Sequence, residues 1–246
     1  MRLSRVGTLV LSILAVPGFV SAAPINQVSP GTLTGGALIT FDDVAGGGAP
    51  GTNSDGIFES GTAAFAERFV GQTLSSSGNF DVLSGTPSGP LALQLGAPGQ
   101  NLNVFVNFSS QVLTGLGPLG FPNFDAIGEG SFAVLFDFDQ SEFAFDLVGG
   151  NNGSATVEFF KRDGTLIDSI TLSNLGSQSY GFQRDGSVKD IAGISIFNED
   201  LGGIGFDNLR SDVAGVPGTP TVPEPASFVL LSLGLLGVLV RRARAR

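Results

Sequence analysis

The chain has 246 residues and contains no cysteine, no histidine and no tryptophan. Without cysteine it can form neither a disulfide framework nor a thiolate zinc site, and it has no cysteine nucleophile. Without histidine it has no Ser-His-Asp triad, no HExxH metalloprotease site and no imidazole general base. Enzymes built on these groups are therefore excluded, and the pattern predicts a protein that is not an enzyme, with catalysis by carboxylates alone left open.

Positive charge is also scarce. The chain has 12 Lys and Arg against 22 Asp and Glu, so its formal net charge is −10. Because contacts to phosphates need clustered Lys and Arg, we expect no nucleic-acid partner. The 42% content of hydrophobic residues predicts a folded chain rather than a disordered one.

The N-terminus has the parts of a secretory signal peptide. Two arginines are followed by an apolar run over residues 6–16, which is too short to span a bilayer, and then by small residues. Cleavage after Ala22 is favoured because a cut one residue later would place Pro24 directly after the bond. We therefore predict residues 1–22 as a signal peptide handled by the Sec machinery and signal peptidase. An uncleaved N-terminal anchor is the alternative.

The C-terminus has a short apolar segment followed by arginines. Residues 226–240 carry no charge, and as a helix they measure about 22 Å against a hydrocarbon core of about 30 Å. Bilayer thinning and the reach of flanking arginines can cover the difference, so we predict a single transmembrane helix. Positive flanks stay in the cytoplasm, which places the body on the exported side. The predicted stop-transfer residues are Arg241, Arg242, Arg244 and Arg246.

A proline-bounded motif comes directly before this segment. Residues 222–246 read as Val-Pro-Glu-Pro, an apolar stretch and an arginine cluster, an order that resembles the PEP-CTERM sorting signal. The resemblance implies transient recognition by exosortase, a membrane protease-transpeptidase of Gram-negative bacteria that make exopolysaccharide. Two prolines also keep the segment extended, as entry into a protease active site requires. The implied recognition residues are Val222, Pro223, Glu224 and Pro225.

The segment between the two ends is predicted to fold as one exported domain over residues 23–213, followed by a Pro/Gly/Thr linker over residues 214–221. Residues 24–221 contain six Lys and Arg against 21 Asp and Glu, a formal charge of −15. Such a surface favours solubility and the binding of divalent cations. It repels anionic polymers unless cations bridge the polymer to the protein.

Alternation of apolar and polar residues is the main pattern of this domain. It indicates strands at residues 131–138 and 142–148, and a hairpin over 155–172 with a turn at Asp163-Gly164. A weak helical period occurs at residues 62–70. Further strands are predicted at 37–42, 79–83, 101–108, 190–197 and 203–210. The fold class is therefore all-β, an antiparallel β-sandwich or jelly roll of about ten strands with a phenylalanine-rich core.

Residues 131–210 also resemble the jelly-roll domains common in PEP-CTERM proteins. The matching segments are Ser154–Phe160, Asp163-Gly164-Thr165 and Gly205-Phe206-Asp207-Asn208-Leu209. The resemblance implies a sandwich fold related to carbohydrate-binding and lectin-like domains. Since one fold carries many activities, it does not assign a function.

One metal site is suggested by oxygen ligands on two distant strands. Asp42 and Asp43 end the first predicted strand of the body, and Asp207 and Asn208 lie in the last one. First and last strands of a jelly roll often lie close together, and calcium takes six to eight oxygen ligands. The hypothesis is a structural Ca²⁺ held by these four residues. The alternative is that Asp207 and Asn208 make hydrogen bonds at a strand end or turn.

These observations predict an exported envelope protein of a Gram-negative bacterium. It would pass through an inner-membrane-anchored intermediate and then reach the cell surface or the extracellular matrix. There its sandwich would be structural, adhesive or glycan-binding, with exopolysaccharide as a partner. A secreted polysaccharide-active hydrolase and an unprocessed, membrane-anchored periplasmic protein are the alternatives.

Overall fold

The computed structural model describes residues 24–107 and 110–212. The predicted signal peptide, the linker, the sorting motif and the transmembrane helix lie outside these residues. Among the described residues, none of the helices has the length and apolarity needed to cross a membrane.

The described chain consists of short strands joined by turns, with three 3₁₀ turns at Pro30–Thr32, Phe124–Ala126 and Asp185–Ser187. The strands are β1 (Ile25–Val28), β2 (Ala37–Ile39), β3 (Thr52–Ser54), β4 (Phe58–Ser60), β5 (Ala63–Ala66), β6 (Arg68–Phe69), β7 (Thr73–Ser77), β8 (Phe80–Ser84), β9 (Leu93–Gln94), β10 (Leu102–Asn107), β11 (Ser110–Leu116), β12 (Ile127–Gly130), β13 (Phe132–Gln140), β14 (Glu142–Gly149), β15 (Ser154–Phe160), β16 (Leu166–Ser173), β17 (Gln178–Arg184), β18 (Ile191–Glu199) and β19 (Ile204–Ser211).

These strands form two large antiparallel sheets and two small two-stranded sheets. The larger sheet has the order β1-β17-β14-β19-β11-β10-β3, with β2 paired to β19 and β12 paired to β11. The smaller sheet has the order β16-β15-β18-β13-β5-β4, and the remaining pairs are β6 with β9 and β7 with β8. The all-β sandwich is therefore confirmed. The described strands outnumber the predicted ten because many of them have only two to four residues.

The two sheets pack face to face through phenylalanine rings. Phe159 of the smaller sheet lies 5.2 Å, centroid to centroid, from Phe182 of the larger one, and Phe132 lies 4.2 Å from Phe206. Eleven of the twelve largest fully buried side chains are phenylalanines. Each buried aromatic ring removes about 150–250 Å² from water, so these rings dominate the energetics of the core.

Two local predictions differ from the structure. Residues 62–70 contain β5 and β6 rather than a helix, because β5 pairs with β13 and places Ala63 and Phe65 in the core. Strand β17 has no counterpart in the prediction, although its Tyr180 and Phe182 alternate into the core. The predicted hairpin around Asp163-Gly164 is present as β15 and β16, with Gly164 at φ +85°.

Candidate functional site

A cleft of about 330 Å³ lies on the outer face of the larger sheet, where β10, β11, β14 and β19 run side by side. Its volume is at the lower end of the range of about 300–1,000 Å³ for ligand pockets. The lining residues are Phe105, Asn107, Thr114, Ile127, Gly128, Val148, Gly149, Ser177, Gly202, Gly203, Ile204 and Gly205. The lining thus combines apolar side chains, amide and hydroxyl side chains, and glycines. No lining side chain is charged.

Strand alternation explains which side chains reach the cleft. On β10, Leu102 and Val104 belong to the core, so Phe105 and Asn107 occupy positions on or near the opposite face. On β14, Leu147 points into the core and Val148 points outward. The cleft is therefore made mainly by strand faces that do not pack between the sheets, and Ile204 at the start of β19 is the lining residue that also belongs to the core cluster.

Gly205 lies in the lining of the cleft at a position where β11 leaves no room for a side chain. A Cβ atom at this position would lie 2.4 Å from Cγ1 of Val112 and 3.1 Å from Cγ2 of Thr114 on the neighbouring strand. These distances are shorter than van der Waals contact, so a larger residue would push β11 and β19 apart. The absence of a side chain lets β11 pack closely against β19 at the cleft.

A buried carboxylate holds the two loops at the far end of the cleft. Asp200 is fully buried and accepts hydrogen bonds from the backbone N–H groups of Asn151 (2.7 Å), Gly153 (2.6 Å) and Gly202 (2.8 Å). Asn198 accepts from the N–H of Asp200 at 3.1 Å and donates to the carbonyl of Gly128 at 2.9 Å. Hydrogen bonds to an ionised group are strong, so the loop backbone is fixed before any ligand binds.

Glu129 lies beside this carboxylate on β12. Its side chain is nearly fully buried, and its Oε2 has no hydrogen-bond partner among the described residues. Burial, followed by the negative charge of Asp200, raises the pKa of Glu129 to about 8. The group is therefore largely protonated at neutral pH, which spares the protein a second buried negative charge next to Asp200.

Two carboxylates, Asp146 and Asp207, face each other across β14 and β19 next to the cleft. Asp207 accepts from the hydroxyl of Ser110 at 2.6 Å, and Asp146 accepts from the hydroxyl of Ser179 and from the side-chain amide of Asn208. Neither acid lines the cleft. Together they give its edge a negative charge.

Asp207 and Asn208 form a β-bulge. Ala144 pairs with Arg210 and Asp146 with Asp207, so β19 has one extra residue in this interval. Asn208 takes that place at φ +49°, a left-handed conformation that asparagine tolerates better than most residues. The motif matched in sequence therefore has a backbone role in this fold.

The four residues of the calcium hypothesis lie in different local environments. Asp42 accepts from the N–H of Gln111 at 3.2 Å, one residue from the Ser110 that contacts Asp207, whereas Asp43 accepts from the hydroxyl of Ser60 at 3.0 Å. Within residues 24–107 and 110–212, no group of three or more acidic side chains is placed to hold a metal ion. Binding of calcium by Asp42, Asp43, Asp207 and Asn208 stays a prediction.

Sequence reasoning missed the cleft because its lining comes from strands that are distant in the chain. One signal was present: Phe105 falls on the position of β10 that alternation assigns to the outer face, where an aromatic residue is unusual. Asp200 gave no signal of its own, since its partners are backbone groups of two loops.

Comparison with known proteins identifies the C-terminal segment. The PEP-CTERM protein-sorting motif matches residues 221–245. No curated protein matches the chain significantly. Among solved structures, the chain is similar to the carbohydrate-binding module CBM28, described as specific for non-crystalline cellulose, with 14% identity, a TM-score of 0.28, and coverage of 45% of this chain and 79% of that chain. A likeness at that level assigns neither ligand nor activity.

The motif occupies about a tenth of the chain and includes the residues predicted above for exosortase recognition. Such a motif implies an exported, membrane-anchored precursor that exosortase processes. The chain is thus an all-β protein that carries the PEP-CTERM protein-sorting motif at residues 221–245.

Proposed function

We propose that this protein is released by exosortase to the cell surface or matrix and that its sandwich binds a neutral glycan there, as a structural or adhesive component. The observation that carries the binding role is the uncharged cleft on the larger sheet. The sorting motif supports the destination.

The lining of the cleft suits a saccharide. A sugar ring has an apolar face and a rim of hydroxyl groups, so it needs apolar and hydrogen-bonding partners together. Phe105 and Val148 offer apolar surface, and Asn107 and Ser177 offer amide and hydroxyl groups. Gly202 is exposed in the lining and has no side chain to obstruct a flat ring.

Charge favours a neutral ligand over an anionic one. The cleft itself has no charged side chain, while Asp146 and Asp207 lie at its edge and the body has a formal charge of −15. An anionic polymer would be repelled by this field unless cations bridged it. A neutral polysaccharide meets no such barrier.

Replacing the aromatic ring tests the cleft. We expect Phe105→Ala to weaken binding of neutral oligosaccharides at least about tenfold, which corresponds to a loss of about 1.4 kcal/mol. The matched control is Val106→Ala, because Val106 is exposed on the same strand and does not line the cleft. A glycan array selects the oligosaccharide, and isothermal titration calorimetry measures both variants.

Equal binding by both variants would overturn the cleft as the binding site, and no binding of any glycan would overturn the proposed role. Release of sugar products from exopolysaccharide would instead indicate the hydrolase alternative.

The mass of the protein recovered from the cell envelope tests the destination. We expect the mature protein to lack the arginine tail that ends at Arg246, because exosortase would cut near the motif. A variant with Pro223→Ala and Pro225→Ala should keep the tail, since its motif no longer stays extended. A wild-type protein that retains the tail would indicate an unprocessed, membrane-anchored protein.

A further inference from the structure

Both ends of the folded domain leave the sandwich at the same place. Ile25 of β1 pairs with Arg184 of β17, and Ser211 of β19 pairs with Phe143 of β14. Ser141 joins the two: its carbonyl accepts from the N–H of Arg184 at 2.8 Å, and its N–H donates to the carboxylate of Asp212 at 2.5 Å. We name this end of the sandwich the terminal end.

The cleft lies at the other end of the same strands. Strand β14 runs from Phe143 at the terminal end to Gly149 in the cleft lining, and β19 runs back from Ile204 in the lining to Ser211. Phe143 and Gly149 are six residue steps apart in extended chain, a distance of about 20 Å. We name this opposite end the distal end.

Positively charged residues are distributed unevenly between the two ends. Of the six Lys and Arg in the body, only Arg68 lies away from the terminal end. Lys161 and Arg184 pair with Asp190 there, and Lys189 pairs with Asp212. The other two cations are Arg162, paired with Asp139 beside the β13–β14 turn, and Arg210, which pairs in register with Ala144.

Acids occur at both ends of the sandwich. Glu142, Asp168 and Asp185 lie at the terminal end besides the paired acids, whereas at the distal end Glu199 ends β18, Asp200 follows it and Asp125 precedes β12. Charge therefore does not distinguish the two ends, and the orientation follows from the place where the chain leaves the sandwich.

We propose that the membrane-anchored precursor stands with its terminal end toward the bilayer and its cleft pointing away from it. The cleft is then open to a polymer outside the membrane before exosortase cuts the chain. The inference rests on the anchoring step of the proposed function, but it does not depend on the nature of the ligand.

The chain outside the described residues fits this orientation. Thirteen residues separate Asp212 from the predicted transmembrane helix, and four of them are prolines. Fully extended, they span at most about 45 Å. A tether of this length joins the anchor to the terminal end, and the cleft lies about 20 Å farther along the strands.

Energy transfer from a single fluorophore to the membrane tests the orientation. The natural chain has no cysteine, so Val188→Cys and Leu201→Cys each create one labelling site. Val188 is 45% exposed at the terminal end, beside Lys189, and Leu201 is 82% exposed at the distal end, beside Gly202 of the cleft. The full-length chain is reconstituted into vesicles of anionic and zwitterionic lipid that contain an acceptor-labelled lipid.

We expect transfer efficiency to be at least about 1.5-fold higher from position 188 than from 201, since the two ends differ by about 20 Å along the strands. Equal or reversed efficiencies would overturn the orientation and leave glycan binding and processing untouched. Failure of the chain to float with the vesicles would overturn the anchoring step and this inference with it. Circular dichroism of both variants checks that the sandwich is intact.

Discussion

Replacement of Asn101 by leucine is expected to lower the free energy of unfolding by at least about 3 kcal/mol. This side chain is fully buried just before β10, and it satisfies four backbone groups of three separate segments. Its Oδ1 accepts from the N–H groups of Glu67 (2.9 Å) and Gly96 (3.3 Å). Its Nδ2 donates to the carbonyls of Ser54 (2.8 Å) and Gly56 (2.9 Å).

Leucine has the same branching and the same number of side-chain heavy atoms but a larger volume and no polar atom, so all four backbone groups would be left without this partner. Each unsatisfied buried group costs about 1–3 kcal/mol, and partial access of water keeps the total below the sum. For a domain of this size, a loss of 3 kcal/mol corresponds to a fall in melting temperature of roughly 6–12 °C.

Urea denaturation followed by circular dichroism measures the effect. The matched control is Asn26→Leu, an exposed position on edge strand β1 where the same chemical change removes no buried hydrogen bond. An Asn101 variant as stable as this control would show that the network does not hold the three segments together.

The second large effect is a loss of stability with rising pH that depends on Glu129. Its pKa is raised from 4.5 to about 8 in the folded protein, first by burial and then by the charge of Asp200. Between these two pH values the unfolded chain releases the proton while the folded chain keeps it. The stabilising effect is therefore complete below pH 4.5 and is lost as the pH rises toward 8.

The slope reaches about 1.4 kcal/mol per pH unit where only the folded state is protonated. Asp81, whose pKa burial raises to about 6, acts in the same direction but at lower pH. Measurements from pH 6.5 to pH 8.5 therefore report mainly on Glu129. We expect Glu129→Gln to flatten the decline in this window, because the neutral amide cannot lose a proton.

The midpoint of urea unfolding at each pH provides the measurement. Glu59→Gln is the control, since Glu59 is exposed on β4 and its change should leave the slope as in the natural protein. A slope in the Glu129 variant equal to the natural one would show that this carboxyl is not the source of the decline.

Local patterns were enough to predict the strands that form the centre of the sandwich. Phe132, Phe136, Phe143 and Phe145 point into the core as expected, because a strand places successive side chains on opposite faces. Among β1 to β9 the rule predicted only β2 and β8, because strands of two to five residues contain too few positions to show a clear period. Pairing with neighbouring strands forms these segments, and such pairing is not visible in local sequence.

The sequence by itself determined the sorting motif and the fold class. The sorting motif and the alternation of strands are contiguous patterns, so neighbouring residues suffice to read them. Only the tertiary structure decided where the cleft lies and at which end of the sandwich it opens. The cleft joins Phe105, Val148 and Gly205 from three strands, and Asp200 closes its far end through the backbone of two loops. Contacts between residues so far apart in the chain arise from strand order and register, which the whole core sets at once.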